Sequence, residues 1–302
     1  MITGANAGIG KDTARQIALL DTTKKVYLAC RNEEKAKIAK RELEQKTGKK
    51  VFEIALMDVS SIDSVRKAVA NLTEPIDALI MNAGGMGGKD PSKLTEDGVS
   101  QIFATNVLGH VVLVDELVKA NKLNNVALYA SSEGARGVKS MKMEQPSLKT
   151  SSVDEFSTIY NGSFFDDGVE EMQVYCYVKY AGTMWMNSMA RKNPKIKFVT
   201  VSPGATSGTE VMNDLPLLKR FMFKHIMFPL VMPLMGMSHK LEKGAKRFVD
   251  GINNDTLKSG VFYGSKGGKL TGELVDQSQL FSDLNNESFQ DNANEAIHRY
   301  IH

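Results

Sequence analysis

One pair of side chains in this sequence could transfer a proton: Tyr175 and Lys179, which lie four positions apart within a helical pattern. Residues at this spacing share one face of a helix, so the ammonium can lie beside the phenol. A nearby cation stabilises the phenolate and lowers the pKa of a tyrosine from its usual value of about 10. The pair therefore predicts an acid–base site, although two ordinary surface residues of a helix would give the same pattern.

The chain opens with a glycine-rich turn, in which Gly4, Gly8 and Gly10 have the spacing G-x-x-x-G-x-G immediately before a helical pattern. Glycine allows backbone torsions and close approaches that a Cβ would block. Free N–H groups and the positive dipole end at a helix start favour anions. The turn, which includes Asn6 and Ile9, predicts a site for the phosphates of a dinucleotide. The alternative is a turn that serves packing only.

Arg31 follows the next apolar run, at the position that decides which nicotinamide cofactor a dinucleotide site prefers. Sites that prefer NAD normally have Asp or Glu here, which binds the ribose hydroxyls. This sequence has Arg31 followed by Asn32, so no carboxylate repels a 2′-phosphate and a guanidinium can bind it with two hydrogen bonds. Arg31 therefore predicts NADP(H), with a solvated residue at a helix start as the alternative.

The elements that must position these residues alternate along the chain, with short apolar runs between amphipathic patterns. This alternation predicts a single α/β domain with a doubly wound, Rossmann-type parallel sheet. The first strand of such a sheet lies near its centre, yet only Met1 and Ile2 precede Thr3, which suggests that the native protein has residues upstream. The strands are predicted at residues 25–30, 51–59, 77–84, 125–132, 197–204 and 260–264, and helices at 11–20, 32–46, 61–72 and about 93–123.

Composition excludes several classes of protein. The net charge of +3 is spread along the chain and gives no footprint for nucleic acid. The two cysteines, Cys30 and Cys176, form neither a disulfide framework nor a metal site, and no metal is predicted. No apolar run reaches the length of a membrane span, and no signal pattern is present. We expect a cytoplasmic protein or one that contacts a membrane peripherally.

Short motifs follow one another along nearly the whole chain. They are T-G-x-x-x-G-x-G at Thr3–Gly10, Asp58-Val59, Asn82-Ala83-Gly84, Asn106, Ser131-Ser132, Tyr175-x-x-x-Lys179 and Pro203-Gly204. In this order they resemble the short-chain dehydrogenase/reductase family. The resemblance is nearest to its retinol-dehydrogenase-like and protochlorophyllide-reductase-like group, because of Gly8–Lys11, Ala29–Arg31 and the long gap between Ser132 and Tyr175.

The resemblance implies roles for these residues. Tyr175 would be the general acid in reduction, Ser132 would bind the substrate carbonyl, Lys179 would bind the ribose and tune the phenol, and Asn106 would hold a water in a proton relay. Ser132 matches the family position better than Ser131. The remaining cofactor contacts would be Asp58 and Val59 at the adenine, Asn82, Ala83 and Gly84 at the ribose, and Pro203, Gly204 and Thr206 or Thr209 at the nicotinamide end. His110 is interpreted as a packed or capping residue.

Three segments depart from the alternating pattern. Residues 133–170 are polar and predict a long loop or small insertion, residues 205–240 a substrate lid, and residues 280–302 a loosely attached tail with one helix at most. Within the lid, residues 221–237 are rich in Met and Phe, which suggests an apolar wall for a lipophilic substrate or a patch that touches a membrane. An ordinary buried lid helix is the alternative.

Together these observations predict an NADPH-dependent oxidoreductase that transfers hydride between nicotinamide and a lipophilic carbonyl or alcohol. The alternatives are a reductase of C=C bonds, as in the protochlorophyllide-reductase-like branch, and a non-catalytic NADPH-binding sensor or scaffold. Family members commonly associate through the helices that carry Asn106 and Tyr175, so a homo-oligomer is a further expectation.

Overall fold

The apolar runs form one sheet in the computed structural model, which describes residues 1–88, 90–166, 168–207 and 237–302. The strands are β1 (Ile2–Thr3), β2 (Val26–Cys30), β3 (Phe52–Leu56), β4 (Ile76–Met81), β5 (Leu123–Ala130), β6 (Lys197–Val201), β7 (Val261–Ser265) and β8 (Leu274–Asp276). Their order is β3-β2-β1-β4-β5-β6-β7-β8, and neighbouring strands are parallel except for β7 and β8. The predicted doubly wound α/β fold is confirmed, and the antiparallel edge strand β8 makes its sheet mixed.

Helices connect the strands and cover the sheet. They are α1 (Gly8–Ala18), α2 (Glu33–Thr47), α3 (Ile62–Ala70), α4 (Gln101–Lys119, with a π-helical segment at Ala104–Leu108), α5 (Val153–Asn161), α6 (Glu171–Lys192), α7 (Leu241–Asn253) and α8 (Glu287–His298). The core has two parts, as expected for a sheet covered on both sides. One part includes α1, α2 and α7, and the other includes α3, α4, α6 and α8.

Strand β1 is short but occupies the predicted central position. Ile2 pairs with Leu28 of β2 and with Ile80 of β4, and both Ile2 and Thr3 are buried. Because parallel strands end at the same edge of a sheet, this position brings the glycine-rich turn after β1 next to the loops after β2 and β4.

Helix α4 is the one helix among the described residues that is long and apolar enough to span a membrane. In this fold 72% of the relevant window is buried, because the helix packs between α3, α6 and the sheet. Its apolar composition therefore matches the environment of a core helix.

One prediction for a polar segment needs correction, and the structure adds detail to another. Residues 280–302 are not a loose tail: α8 packs on α5 and α6, with Ala293, Ala296 and Ile297 fully buried. Residues 133–170 contain α5, whose N-terminus is capped by Ser152, and a buried 3₁₀ turn at Glu133–Arg136. Polar capping and surface residues gave both segments their loop-like composition, although one face of each helix is apolar.

Candidate active site

A groove of about 580 Å³ runs along the carboxyl edge of the sheet, from the end of β2 to the end of β6. The predicted residues that line it are Gly4, Asn6, Gly8, Ile9, Arg31, Asp58, Val59, Asn82, Ala83, Gly84, Tyr175, Lys179 and Pro203. Open α/β sheets bind their ligands at this edge, where the strand order reverses. The order reverses here between β1 and β4.

The glycine-rich turn forms the floor of the groove through its backbone. Gly4 and Gly8 have φ angles of 64° and 54°, which favour glycine. Gly10 lies beneath the turn, where a Cβ would come within 2.4 Å of Asn82 Nδ2 and 2.6 Å of the Gly4 carbonyl oxygen. Helix α1 starts at Gly8 without a side-chain cap, so its first N–H groups are available to an anion.

Two basic side chains stand at the outer end of the groove. Arg31 is exposed after β2, and Lys35 is exposed on the first turn of α2, which Asn32 caps by accepting a 2.9 Å hydrogen bond from Lys35 N. Within the described ranges, neither basic group forms an ion pair with a carboxylate. Lys35 was missed from the sequence, although its place one helical turn after Arg31 could have indicated it.

At the inner end of the groove, α6 presents Tyr175 and Lys179 on one face. Lys179 is 3% exposed, and its Nζ donates a 2.9 Å hydrogen bond to the Ala130 carbonyl oxygen. The same Nζ lies 5.0 Å from the ring centre of Tyr129 and 5.5 Å from that of Tyr175. Burial lowers the pKa of Lys179 to about 7, so its charge depends on pH in the neutral range.

The pKa of Tyr175 departs from the sequence-based expectation. Desolvation is the largest influence and raises the pKa of the phenol well above its usual value, while the nearby Ser132 hydroxyl acts in the opposite direction. The expectation that Lys179 lowers the pKa is therefore wrong for the chain alone, because the buried ammonium is itself easily neutralised and is directed to Ala130. The phenol is consequently protonated over the neutral range.

Asn106 lies in the π-helical segment of α4, a local distortion that is frequent at functional sites. Its Nδ2 donates 2.8 Å hydrogen bonds to the carbonyl oxygens of Gly85 and Ile102, and its Oδ1 accepts a 3.1 Å bond from Gly85 N. A Cβ at Gly84 would come within 2.4 Å of this Oδ1. The water-relay role of Asn106 stays a prediction, and the contacts add a role in holding the turn after β4.

His110 connects three of the motifs from behind the groove. It is fully buried, and its Nδ1 lies 3.1 Å from the Asn106 carbonyl oxygen, to which it can only donate. Its Nε2 then accepts from the Thr3 hydroxyl at 3.0 Å, and Thr3 Oγ1 accepts from Ala83 N at 2.8 Å. Burial lowers the pKa of His110 to about 4, so the ring is neutral at pH 7. These contacts agree with a packed, structural histidine.

The turn after β6 is oriented differently from the prediction. Pro203 lines the groove, but Gly204 and Thr206 do not, and the Thr206 hydroxyl donates to the carbonyl oxygens of Pro203 and Gly204 at 3.3 and 3.0 Å. Thr209 and residues 208–236 of the predicted lid (205–240), with most of the Met- and Phe-rich stretch 221–237, lie outside the described residues.

Behind Ser132 and Pro203 is a buried polar cluster that the sequence analysis missed. We call it the Glu133 cluster, and its members are Glu133, Ser202, His239, Arg247 and Ser265. The partners come from distant parts of the chain. The sequence signal that could have indicated this cluster is Arg247, a charged residue on the apolar face of α7 beside the buried Phe248.

A second, more open groove of about 800 Å³ lies between α4, α6 and α8. It includes the ion pair between His298 Nε2 and Asp115 Oδ2, 2.9 Å apart, but none of the motif residues. We therefore assign the chemistry to the groove at the carboxyl edge of the sheet.

Comparisons with known proteins agree with this geometry. Residues 1–142 match the family model described as short chain dehydrogenase. A Bos taurus protein named dehydrogenase/reductase SDR family member 12 is 32% identical over 72% of this chain and 63% of its own length. The chain is therefore similar to the short-chain dehydrogenase/reductase family. Human retinol dehydrogenase 11 is 27% identical over 71% of this chain and 63% of its own length, so the chain spans less than two thirds of these relatives.

Solved structures show the same short-chain dehydrogenase/reductase fold. Salutaridine reductase from Papaver somniferum has a TM-score of 0.61 at 17% identity, covering 86% of this chain and 97% of its own. L-sorbose reductase from Gluconobacter frateurii, solved with NADPH and L-sorbose, has a TM-score of 0.61 at 19% identity, covering 90% of this chain and 96% of its own. At these identities the likeness concerns the fold.

Proposed function

We propose that this chain is an NADPH-dependent oxidoreductase that transfers hydride between the nicotinamide and a carbonyl or alcohol. The observation that carries the proposal is that one groove has Tyr175 paired with Lys179 at its inner end. Arg31 and Lys35 line the outer end of the same groove. When bound, the cofactor supplies the hydride, and the chain supplies orientation and the proton.

The groove has features that fit a dinucleotide phosphate. The α1 N-terminus offers uncapped N–H groups, and an added Cβ at Gly8 would meet nothing within 4 Å, so the space above the turn is open. Arg31 and Lys35 offer cations for a 2′-phosphate. Solved structures of this fold that contain NADPH, such as that of the L-sorbose reductase, support NADP(H) over NAD(H).

In the reducing direction, Tyr175 donates its phenolic proton to the oxygen of the substrate carbonyl. The raised pKa keeps the phenol protonated until charge develops on that oxygen. Ser132 is available to hold the same oxygen, since its hydroxyl is near Tyr175 and also caps the 3₁₀ turn by accepting from Gly134 N at 3.2 Å. Lys179 would hold the ribose and supply a cation close to the phenol.

The substrate class that we propose is lipophilic. Residues 221–237 are rich in Met and Phe, which suit an adaptable apolar wall, and the similarity to human retinol dehydrogenase 11 supports a lipophilic alcohol or aldehyde. Peripheral contact of the same stretch with a membrane, and a homo-oligomer, stay predictions.

The test is NADPH oxidation with a panel of long-chain and polycyclic aldehydes and ketones beside small sugars, for the wild type and two variants. Tyr175→Phe should lower the rate by about 10²–10⁴-fold, as expected for loss of a general acid. Its affinity for NADPH should stay within about twofold, or roughly 0.4 kcal/mol. Tyr177→Phe is the control, because Tyr177 lies on the same helix but its hydroxyl bonds to Ser147.

An undiminished rate in Tyr175→Phe would refute the assigned mechanism. Tight NADPH binding without turnover of any carbonyl would favour the sensor or scaffold alternative. Equal rates on small sugars and lipophilic carbonyls would remove the lipophilic substrate class.

A further inference from the structure

The Glu133 cluster contains a buried carboxylate directly beside a predicted catalytic residue. Glu133 follows Ser132 in the chain and is 3% exposed. Its carboxylate accepts from Ser265 N at 3.1 Å, from Ser265 Oγ at 2.8 Å and from Ser202 Oγ. One carboxylate thus joins the ends of β5, β6 and β7, three neighbouring strands at the nicotinamide end of the groove.

Arg247 supplies the opposite charge from α7. It is 5% exposed, and its Nη1 lies 3.5 Å from Glu133 Oε1. It also donates to the carbonyl oxygens of Ser202 at 3.1 Å and Gly272 at 2.8 Å, and to Ser265 Oγ at 3.0 Å. An apolar pair could fill this space with similar stability, but it could not bind these backbone and hydroxyl groups together.

The same cluster holds the turn that contains Pro203. The carbonyl oxygen of Ser202 accepts from Arg247, and that of Pro203 accepts from His239 Nε2 at 2.7 Å. A Cβ at Gly204 would come within 2.8 Å of both Arg247 Nη1 and His239 Cε1. The carbonyl groups are therefore fixed on the side away from the groove, which leaves Pro203 as the part of this turn that lines it.

We infer that Glu133 and Arg247 are positioning residues that set the separation between Ser132 and Pro203. Ser132 is the residue proposed to hold the substrate carbonyl, and Pro203 lines the inner end of the groove, where the nicotinamide would lie, so their separation would govern how closely hydride donor and acceptor meet. Misplacement of reacting groups by about 1 Å can cost about 10²-fold in rate. The inference rests on the proposed function for its catalytic meaning.

Glu133→Gln tests this inference, because it keeps the shape of the side chain and leaves Arg247 without a countercharge. Glu155→Gln is the matched control: Glu155 also accepts several backbone hydrogen bonds, from Lys149 N, Thr150 N and Ser151 N, but lies outside the groove. The measurements are kcat, KM for NADPH, the isotope effect with NADPH deuterated at C4, the emission maximum of bound NADPH, and thermal stability.

Glu133→Gln should lower kcat about tenfold or more with KM for NADPH within about threefold, raise the isotope effect and shift the emission of bound NADPH. Glu155→Gln should change none of these. The unpaired buried charge of Arg247 should also lower the thermal stability of Glu133→Gln. In the double variant Glu133→Gln/Arg247→Met this charge is gone, so thermal stability should return to that of the wild type while kcat should stay low.

Recovery of kcat together with stability in the double variant would show a merely structural role and overturn the inference. So would unchanged kcat and emission in Glu133→Gln. If that variant does not fold, Ser265→Ala, which removes one hydrogen bond to the carboxylate, is judged by the same criteria with smaller changes. If the wild type turns over no carbonyl, the proposed function fails. The inference is then decided by whether the emission of bound NADPH shifts between the wild type and Glu133→Gln.

Discussion

The two ends of the groove are built by different means. At the outer end, after β1, β2 and β4, the surface is formed by the backbone of the glycine-rich turn, with Gly4 and Gly8 in the turn and Gly10 beneath it, and by exposed basic side chains. At the inner end, after β5 and β6, buried charged side chains shape the surface, with Lys179 in the wall and Glu133 behind it. A phosphate chain needs N–H groups and space, whereas proton transfer needs groups with controlled charge.

Because they are built differently, the two ends of the groove should respond differently to substitution. A change at the outer end should alter how tightly the cofactor binds, because it changes the space or the countercharge. A change at the inner end should alter the chemical step, and also the dependence of stability on pH, because buried titratable groups are involved.

Lys179→Met should give the largest effect, at the inner end. Turnover should fall by about 10²–10⁴-fold with loss of the cation beside Tyr175. Stability should rise by roughly 2–4 kcal/mol at pH 6, because the pKa of Lys179 is about 7 in the fold and the unfolded chain binds its proton up to about pH 10.5. The cost of burying the ammonium is complete below pH 7 and is relieved as pH rises toward 10.5.

Urea unfolding between pH 6 and pH 10 measures this difference. Lys122→Met is the control, since the Lys122 ammonium also donates to carbonyl oxygens, those of Val69 and Leu72, but at the opposite edge of the sheet. A stability difference that does not narrow with rising pH would contradict the assigned burial of charge.

Arg31→Ala should give an intermediate effect, at the outer end. Loss of charged hydrogen bonds to a 2′-phosphate should weaken NADPH binding by about 1.5–3 kcal/mol, or roughly 10–150-fold, and leave NADH nearly unchanged. Fluorescence titration with each cofactor measures the ratio, and Arg41→Ala, an exposed change on α2 away from the groove, is the control. Equal loss for both cofactors would contradict a 2′-phosphate contact.

Gly10→Ala should give the smallest effect of the three. The added Cβ meets Asn82 and the Gly4 carbonyl, so the turn must shift, with a cost in stability of about 1–3 kcal/mol and a loss of about tenfold in NADPH affinity. Gly251→Ala is the matched control, because its Cβ would crowd Leu128 at 2.4 Å in the core of the same helix layer. If both variants lose the same affinity, general destabilisation is the cause and the turn has no special role.

The outer end was largely predictable from the sequence, because its signals are local. The glycine spacing precedes α1 directly, and Arg31 ends an apolar run, so neighbouring residues carry the information. The strands were predictable for a similar reason, since apolar runs such as that of β5 have strand length and end in turn residues. The short strand β8, which is half-buried and follows a glycine-rich turn, gave no such pattern.

The inner end was only partly predictable. The motifs gave Ser132, Tyr175 and Lys179, but the groups that hold them are distant in the chain: Glu133 meets Ser202 and Ser265, 69 and 132 positions away. The pKa of Tyr175 could not be predicted either, because it depends on burial that only the packed structure defines. The π-helical segment around Asn106 also has no known signal in its sequence.

The packing of α8 on α6 has a consequence for the order of folding. Ser188 and Arg191, on the helix that carries Tyr175, bond to Asp291, 103 and 100 positions later. On the ribosome, residues 171–192 are synthesised well before residues 287–298. The far end of the helix formed by residues 171–192 therefore exposes an apolar face until α8 has been synthesised and packs on it. Closing such a distant contact is slow, and the far end of the helix that carries Tyr175 and Lys179 gains its final support only at that late step.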